Sequence, residues 1–308
     1  MTKIEWTNRT WNPIIGCSKC SPGCDNCYAE KMAKRIVLMN RNNETRDNYL
    51  SALNQYLNWN NHAVFCRNII NKPFRWKKPS MIFVCSMGDL FHESVPFGSI
   101  RTVFNVIYDN PHHTFQILTK RPERMAEFFN WLYQPVTFPN LWLGVTAENQ
   151  EQADKRIPIL LQIPAAIRFV SVEPMLGPVD VMKYLVAPAG GTPEETEIYH
   201  DWIDWIICGG ETGPKARPMH PDWVRSLRDQ CRVTGIPFFF KSWGEWLNSY
   251  DFGANLSKLY SKKKKLPLYF NFPDATGMNK VGKKLAGHLL DGVEYHQFPN
   301  RSRVASDK

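Results

Sequence analysis

Thr114-Phe-Gln-Ile-Leu-Thr119 is an unbroken, mostly apolar run; Lys120-Arg121-Pro122 follows it, and a helix-patterned stretch to Leu132 leads into a second run, Leu141-Trp-Leu-Gly-Val-Thr146. Short continuous runs of this kind are expected of parallel strands covered on both faces, and Pro122 suits a helix's first turn, where its missing N–H costs nothing. The segment therefore reads as strand, crossover helix, parallel strand. The same unit repeats outward. Strands are expected at Met81 to Ser86, Ile167 to Val172, Trp205 to Gly209 and Pro237 to Lys241, and helices at Phe97 to Tyr108, Asn149 to Leu161 and Pro221 to Val233. Six strands, with one more before the first cysteine, favour an α/β fold of the full or partial (β/α) TIM-barrel type over a flat doubly wound sheet. The alternation stops at Gly244, so residues 1–243 are expected to form the barrel and 244–308 a basic appendage. The Asn-rich residues 40–62 read as an insert and Pro188 to His200 as a surface excursion. No internal sequence repeat is found.

The 308 residues are 43% apolar, enough for a sizeable core, and no run of eighteen apolar residues is present to span a bilayer. Met1-Thr-Lys-Ile-Glu-Trp6 has none of the apolar stretch of a secretory signal, so the expected compartment is the reducing cytoplasm, with no membrane partner. Disulfides are then a poor account of the eight cysteines. Charge is unevenly placed. From Asn255 to Lys308, nine Lys and two Arg against four acids leave +7 of the chain's +9. Lys262 to Lys265 could meet the phosphates of a nucleic acid, with Tyr260, Tyr269, Phe270 and Phe272 to stack on its bases; the bland alternative is a solvated loop whose aromatics dock on the core.

Cys17, Cys20, Cys24 and Cys27 fall within Gly16-Cys-Ser-Lys-Cys-Ser-Pro-Gly-Cys-Asp-Asn-Cys-Tyr28. Such density in a reducing compartment points to a metal, because thiolates select zinc or iron–sulfur clusters. Zinc sites of four cysteines usually set two knuckles well apart, whereas only three residues separate Cys20 from Cys24. Cys20, Cys24 and Cys27 have the Cys-x3-Cys-x2-Cys spacing that resembles the radical S-adenosylmethionine motif. Three thiolates on a 4Fe–4S cluster leave one iron open to chelate S-adenosylmethionine, from which a 5′-deoxyadenosyl radical is released. An external electron donor is then required. The helical spacing of Ala29, Met32, Ala33, Ile36 and Val37 puts the cysteines on a loop leading into a helix.

Further words surround the cluster: Thr10-Trp-Asn-Pro13, Cys27-Tyr-Ala-Glu30, Phe74-Arg-Trp-Lys-Lys-Pro79, Ser86-Met-Gly-Asp-Leu-Phe-His92, Leu118-Thr-Lys-Arg-Pro122, Gly144-Val-Thr-Ala-Glu-Asn149 and Ser171-Val-Glu-Pro174. Later come Gly209-Gly-Glu-Thr-Gly213, Phe238-Phe-Phe-Lys-Ser-Trp-Gly244 and Gly282-Lys-Lys-Leu-Ala-Gly287. Together they resemble a phage and mobile-element family, the three-Cys-motif proteins, over nearly the whole chain. The resemblance implies a radical-S-adenosylmethionine-like barrel carrying a 4Fe–4S cluster. In that family's pattern the cysteines match Cys17, Cys24 and Cys27, and an aliphatic residue stands where this chain has Cys20. Cys17 and Cys20 therefore compete as first ligand, with Cys17 favoured. Asn26 also replaces the aromatic residue common before the last cysteine of the standard motif.

In such barrels reacting groups sit where strands end. Lys120, Arg121, Glu148, Glu173 and Lys241 are the candidates for chemistry. Ser86, Asp89, Thr119, Thr146, Ser171, Gly209, Gly210 and Glu211 are the candidates for holding the cofactor. Gly209-Gly210-Glu211 resembles the glycine-glycine-acid element that binds the cofactor amine, although here it follows a late strand. Each residue also has a bland account: Asp89 or Asn149 capping a helix, Arg121 pairing with an acid, His220 serving structure. Cys66, Cys85, Cys208 and Cys231 read as ordinary buried cysteines. The alternatives to a radical enzyme are a zinc-stabilised nucleic-acid-binding protein without catalysis and a barrel with a structural or redox-sensing cluster. The sequence does not name the substrate; the phage-like setting and the basic tail point toward a nucleic acid or nucleotide.

Overall fold

The computed structural model describes residues 4–39, 43–132, 138–185, 202–250 and 267–300. In chain order the elements are β1 (Arg9–Trp11), β2 (Ile14–Ile15), α1 (Tyr28–Leu38), α2 (Glu44–Ser51), β3 (Val64–Phe65), β4 (Met81–Val84) and α3 (Phe97–Tyr108). There follow β5 (Thr114–Thr119), α4 (Pro122–Trp131), β6 (Leu141–Thr146), α5 (Gln150–Leu161), β7 (Ile167–Val172), β8 (Trp205–Gly209), α6 (Pro221–Thr234) and β9 (Phe238–Ser242). The C-terminal part adds β10 (Trp246–Asn248), β11 (Leu268–Asn271), β12 (Gly277–Lys280), α7 (Lys283–Ala286), β13 (Leu289–Leu290) and β14 (Val293–Glu294).

The expected strand–helix alternation is present, but the TIM-type closure is not. Seven parallel strands form one curled, open sheet in the order β1-β4-β5-β6-β7-β8-β9. The reason lies at its last edge. The free side of β9 pairs with the C-terminal chain: Phe240 N donates to Tyr295 O at 2.7 Å, Gln297 N donates to Phe238 O at 3.2 Å, and Phe239 bridges antiparallel to His296. That edge is thus taken by the chain's own tail, an ordinary way of covering strand groups that would otherwise be unpaired.

Alternation along each strand divides the core. Ile82, Val84, Phe115, Ile117, Leu143, Val145, Val170 and Ile206 pack with α3 to α6 through Ile100, Phe104, Phe128, Ile157, Leu160 and Leu227. The opposite, inner face carries Met81, Phe83, Trp142, Ile167, Phe169, Trp205, Ile207 and Phe239, closed from below by Trp6. Trp6 lies 4.7 Å from the Phe83 ring and edge-on to Trp205 at 6.3 Å. Gly144 belongs to this layer, since a Cβ there would come within 2.6 Å of the Phe169 ring. Gly144→Ala is expected to cost about 1–3 kcal/mol through overpacking, read by chemical denaturation, with little change in secondary structure by circular dichroism.

Helix ends follow local chemistry. Asn149 caps α5 by accepting from Gln152 N at 3.0 Å, and His220 caps α6 by accepting from Asp222 N at 3.1 Å. Gly235 ends α6 with φ +71°, a left-handed turn that glycine adopts without strain. The insert builds its own small core, in which Tyr49, Ala52, Leu53 and Trp59 meet Ile15, Ala29, Ala33 and Val37. Gly16, at φ +90°, carries the chain past His62 O, where a Cβ would sit at 2.5 Å. The insert thus braces both ends of the cysteine loop. Lys262 to Lys265, Tyr260 and residues 188–200 lie outside the described residues. Among the described residues no helix is long and apolar enough to cross a membrane.

Candidate functional site

The residues expected at strand ends gather at one rim, and the cysteine loop lies across it. After β4, Ser86 O accepts from Tyr28 Oη, while Ser86 Oγ donates to Asn12 Oδ1 at 3.0 Å. After β5, Arg121 Nη2 donates to Ser18 Oγ at 2.7 Å and to Ser18 O at 3.1 Å, and its Nη1 reaches Cys17 Sγ at 3.5 Å. After β6, Glu148 Oε1 accepts from Gly23 N at 3.1 Å. After β8, Glu211 Oε2 accepts from Asn26 Nδ2 at 2.9 Å, and Arg217 binds Glu211 while donating to Pro22 O at 2.9 Å. The loop is therefore held by the ends of four separate strands.

These anchors are themselves secured. Asp89 accepts from Thr119 Oγ1 at 2.8 Å and Arg121 Nη1 at 3.1 Å, and Arg121 Nε reaches Glu93 at 2.8 Å. Glu148 is wholly buried against Arg156, 2.9 Å away. Burial opposes its ionisation, but Arg156 and then Lys120 outweigh that and hold the carboxyl below its ordinary range. Glu211 is likewise opposed by burial and held low by hydrogen bonds from Arg217 and Asn26. So Ser86, Asp89, Thr119, Arg121, Glu148 and Glu211, expected to meet a ligand, spend polar atoms on protein partners. Gly210 serves packing, since a Cβ there would strike Trp243 O.

A smaller set lines the inner face above the aromatic layer. Period-two alternation carries the inner face upward from the aromatic layer to Lys120, Thr146, Ser171, Gly209 and Lys241. Thr146 and Ser171 are paired in register, and their hydroxyls make no hydrogen bond among the described residues. Lys120 Nζ likewise has no hydrogen-bond or ion-pair partner among the described residues. Glu173 and Lys241 form a close ion pair, each side chain about one-fifth exposed, and Gly209 lies against both.

The four clustered thiols are free and differ in surroundings. Cys17, Cys24 and Cys27 are half-buried, with Cys17 and Cys27 against the insert core, whereas Cys20 is exposed. Burial, with Asp89 nearby, pushes the Cys17 thiol up to about 12 despite Arg121. A hydrogen bond from Cys20 pulls Cys24 down to about 5, helped by Lys120 against its burial. No three of these sulfurs lie within 4.8 Å of one another. A single tetrahedral zinc at 2.3 Å from each ligand needs sulfurs about 3.8 Å apart, so the arrangement does not fit a preformed mononuclear site. Cys66, Cys85, Cys208 and Cys231 are buried.

Among the described residues, the group of His, Cys, Asp or Glu atoms that does gather this closely is His220, Asp222 and Asp274. Both His220 nitrogens are engaged there, Nδ1 with Asp222 N and Nε2 with Asp274 at 3.0 Å, as expected of a structural histidine.

Sequence reasoning missed Ser18, Asn26, Arg156 and Arg217. Arg156 alone left a signal, for it stands with Ala153, Ile157 and Leu160 on the buried stripe of α5.

The sequence profile of a family described as "Protein of unknown function (DUF5131)" matches residues 1–299. The chain belongs to this family. No curated protein and no solved structure matches. The DUF5131 match takes in the parallel sheet, the cysteine loop and the C-terminal sheet together, so the appendage falls within the family's extent.

Proposed function

We propose that the chain is a radical S-adenosylmethionine-type iron–sulfur enzyme, with Cys17, Cys24 and Cys27 as cluster ligands. The observation that carries this reading is the placement of the cysteine loop over the C-terminal ends of a curled parallel sheet, pinned by four strand ends. Thiolates of this number suit a 4Fe–4S cluster with one open iron, which when bound supplies the electron that splits the sulfonium of S-adenosylmethionine into a carbon radical. Cys20, exposed and off the insert core, is the thiol left over. An external donor provides the electron.

The chain's own part is to position and to exclude. Asp89, Arg121, Glu148, Arg156, Glu211 and Arg217 fix the loop. Lys120, whose ammonium has no ion-pair partner among the described residues, would meet the cofactor carboxylate as a point charge. Thr146 and Ser171 offer hydroxyls to the cofactor, and the Glu173–Lys241 pair can accept or return a proton at the inner wall. The aromatic layer beneath them keeps water from below.

Protein produced without oxygen is expected to be brown, to contain close to one 4Fe–4S cluster by iron and sulfide analysis, and to show a reduced electron paramagnetic resonance signal that S-adenosylmethionine alters. Colourless protein holding stoichiometric zinc under those conditions defeats the reading.

A further inference from the structure

We propose that single-stranded nucleic acid binds along the outer edge of the C-terminal sheet, with bases on Tyr269 and Phe270 and phosphates on Lys280, Lys283 and Lys284. β11 is the outer strand of the sheet β10-β12-β11, and all four of its residues are exposed. Leu268 is 69% exposed, Tyr269 61% and Phe270 40%. So much apolar surface on a strand edge invites a partner.

Charge selects the partner. Between residues 267 and 290 there are three Lys, Lys280, Lys283 and Lys284, and one acid, Asp274. Asp274 is occupied by His220 and Thr276. Lys280 stands opposite Leu268 in register. A second copy of the chain pairing through this edge would bring two such lysine sets together. A lipid surface is equally anionic, but successive strand residues face opposite sides, so Tyr269 and Phe270 cannot enter one plane together. A chain of bases can use both sides of an edge. Aromatic rings with flanking cations are the elements of sequence-tolerant single-strand binding.

The sheet is also wired to the cysteine loop. Trp246 Nε1 donates to Ala216 O at 2.8 Å, and Lys280 Nζ reaches Pro214 O. In the same turn Asn26 Nδ2 donates to Lys215 O at 3.0 Å, and Arg217 holds Pro22 O at 2.9 Å. Lys215 is exposed between the two. A strand lying on β11 is thereby led over Lys215 toward the rim, which makes nucleic acid the substrate class; this last step rests on the function proposed above, whereas the binding does not.

The test is fluorescence anisotropy with labelled single-stranded DNA and RNA of about twenty nucleotides, several times the smallest site on a stacking platform. Binding to either is expected, weakening as salt rises, with the duplex bound less well. Tyr269→Ala and Phe270→Ala should each weaken binding about tenfold, the scale of one lost base–aromatic stack. Tyr269→Phe should bind as the unchanged protein does, and Lys280→Gln should flatten the salt dependence. Cys24→Ala should bind normally, which separates this proposal from the cluster reading. Absence of binding at low salt overturns it. So do ring variants that bind undiminished, a dimer by sedimentation that Tyr269→Ala dissolves, and preferential capture by anionic vesicles.

Discussion

If the proposed cluster is correct, Cys24→Ala and Cys27→Ala are each expected to yield protein that takes up no reducible cluster and produces no 5′-deoxyadenosine from S-adenosylmethionine, whereas Cys20→Ala is expected to retain both. Cys17→Ala is expected to fail like the first two. The grounds are positional. Cys17 and Cys27 rest against the same insert core, and Cys17 is further fixed by Arg121 Nη1, which also donates to Asp89, while the other guanidinium nitrogens are held by Glu93 and Ser18. Cys20 is exposed and has no comparable support. Anaerobic iron and sulfide analysis of the four single variants, with paramagnetic resonance of each reduced protein, decides the matter. If Cys20→Ala loses the cluster and Cys17→Ala keeps it, the first ligand is Cys20. If all four thiols are required and S-adenosylmethionine leaves the signal unchanged, no iron is open and the site is structural.

The strands were legible because burial on both faces leaves an unbroken apolar run, and Met81 to Val84 or Trp205 to Cys208 carry that signature without help from elsewhere. Closure was not legible. It turns on Tyr295 to Gln297 pairing with β9, a contact across more than fifty residues made by a polar segment with no strand pattern of its own. The rim was legible for a general reason, since parallel sheets present their loops at the C-terminal ends. What could not be read was which polar residues would be free. Asp89, Glu148 and Glu211 resemble ligand-binding acids in sequence, yet their partners Arg121, Arg156 and Arg217 come from a rim, a helix and a turn. Only the fold brings these pairs together, and it leaves Lys120, Thr146 and Ser171 on the inner face beside the Glu173–Lys241 pair.

The same pairing makes Arg156 the most sensitive support of the site. Arg156→Met removes the guanidinium and keeps side-chain bulk, but it leaves the Glu148 carboxylate, wholly buried, with Gly23 N as a remaining donor. Breaking one half of a buried ion pair costs about 3–5 kcal/mol, and that loss is expected in denaturant unfolding near neutral pH. Its pH dependence has a defined sign. In the unchanged protein the Glu148 carboxyl lies below its ordinary range, so its contribution is present above that range and is lost as pH falls through the folded value. In Arg156→Met, burial acts with less opposition, the carboxyl moves upward, and protonation relieves the unpaired charge. The deficit should therefore shrink as pH falls. Adding Glu148→Gln should recover much of the stability, because an amide oxygen can still accept from Gly23 N without carrying charge. The loop gives a second readout. Gly23 precedes Cys24, so Arg156→Met should speed alkylation of Cys24 in metal-free protein, and the double variant should slow it again. A deficit independent of pH, or one that Glu148→Gln deepens, would mean that Arg156 acts through packing in α5 rather than through the buried carboxylate.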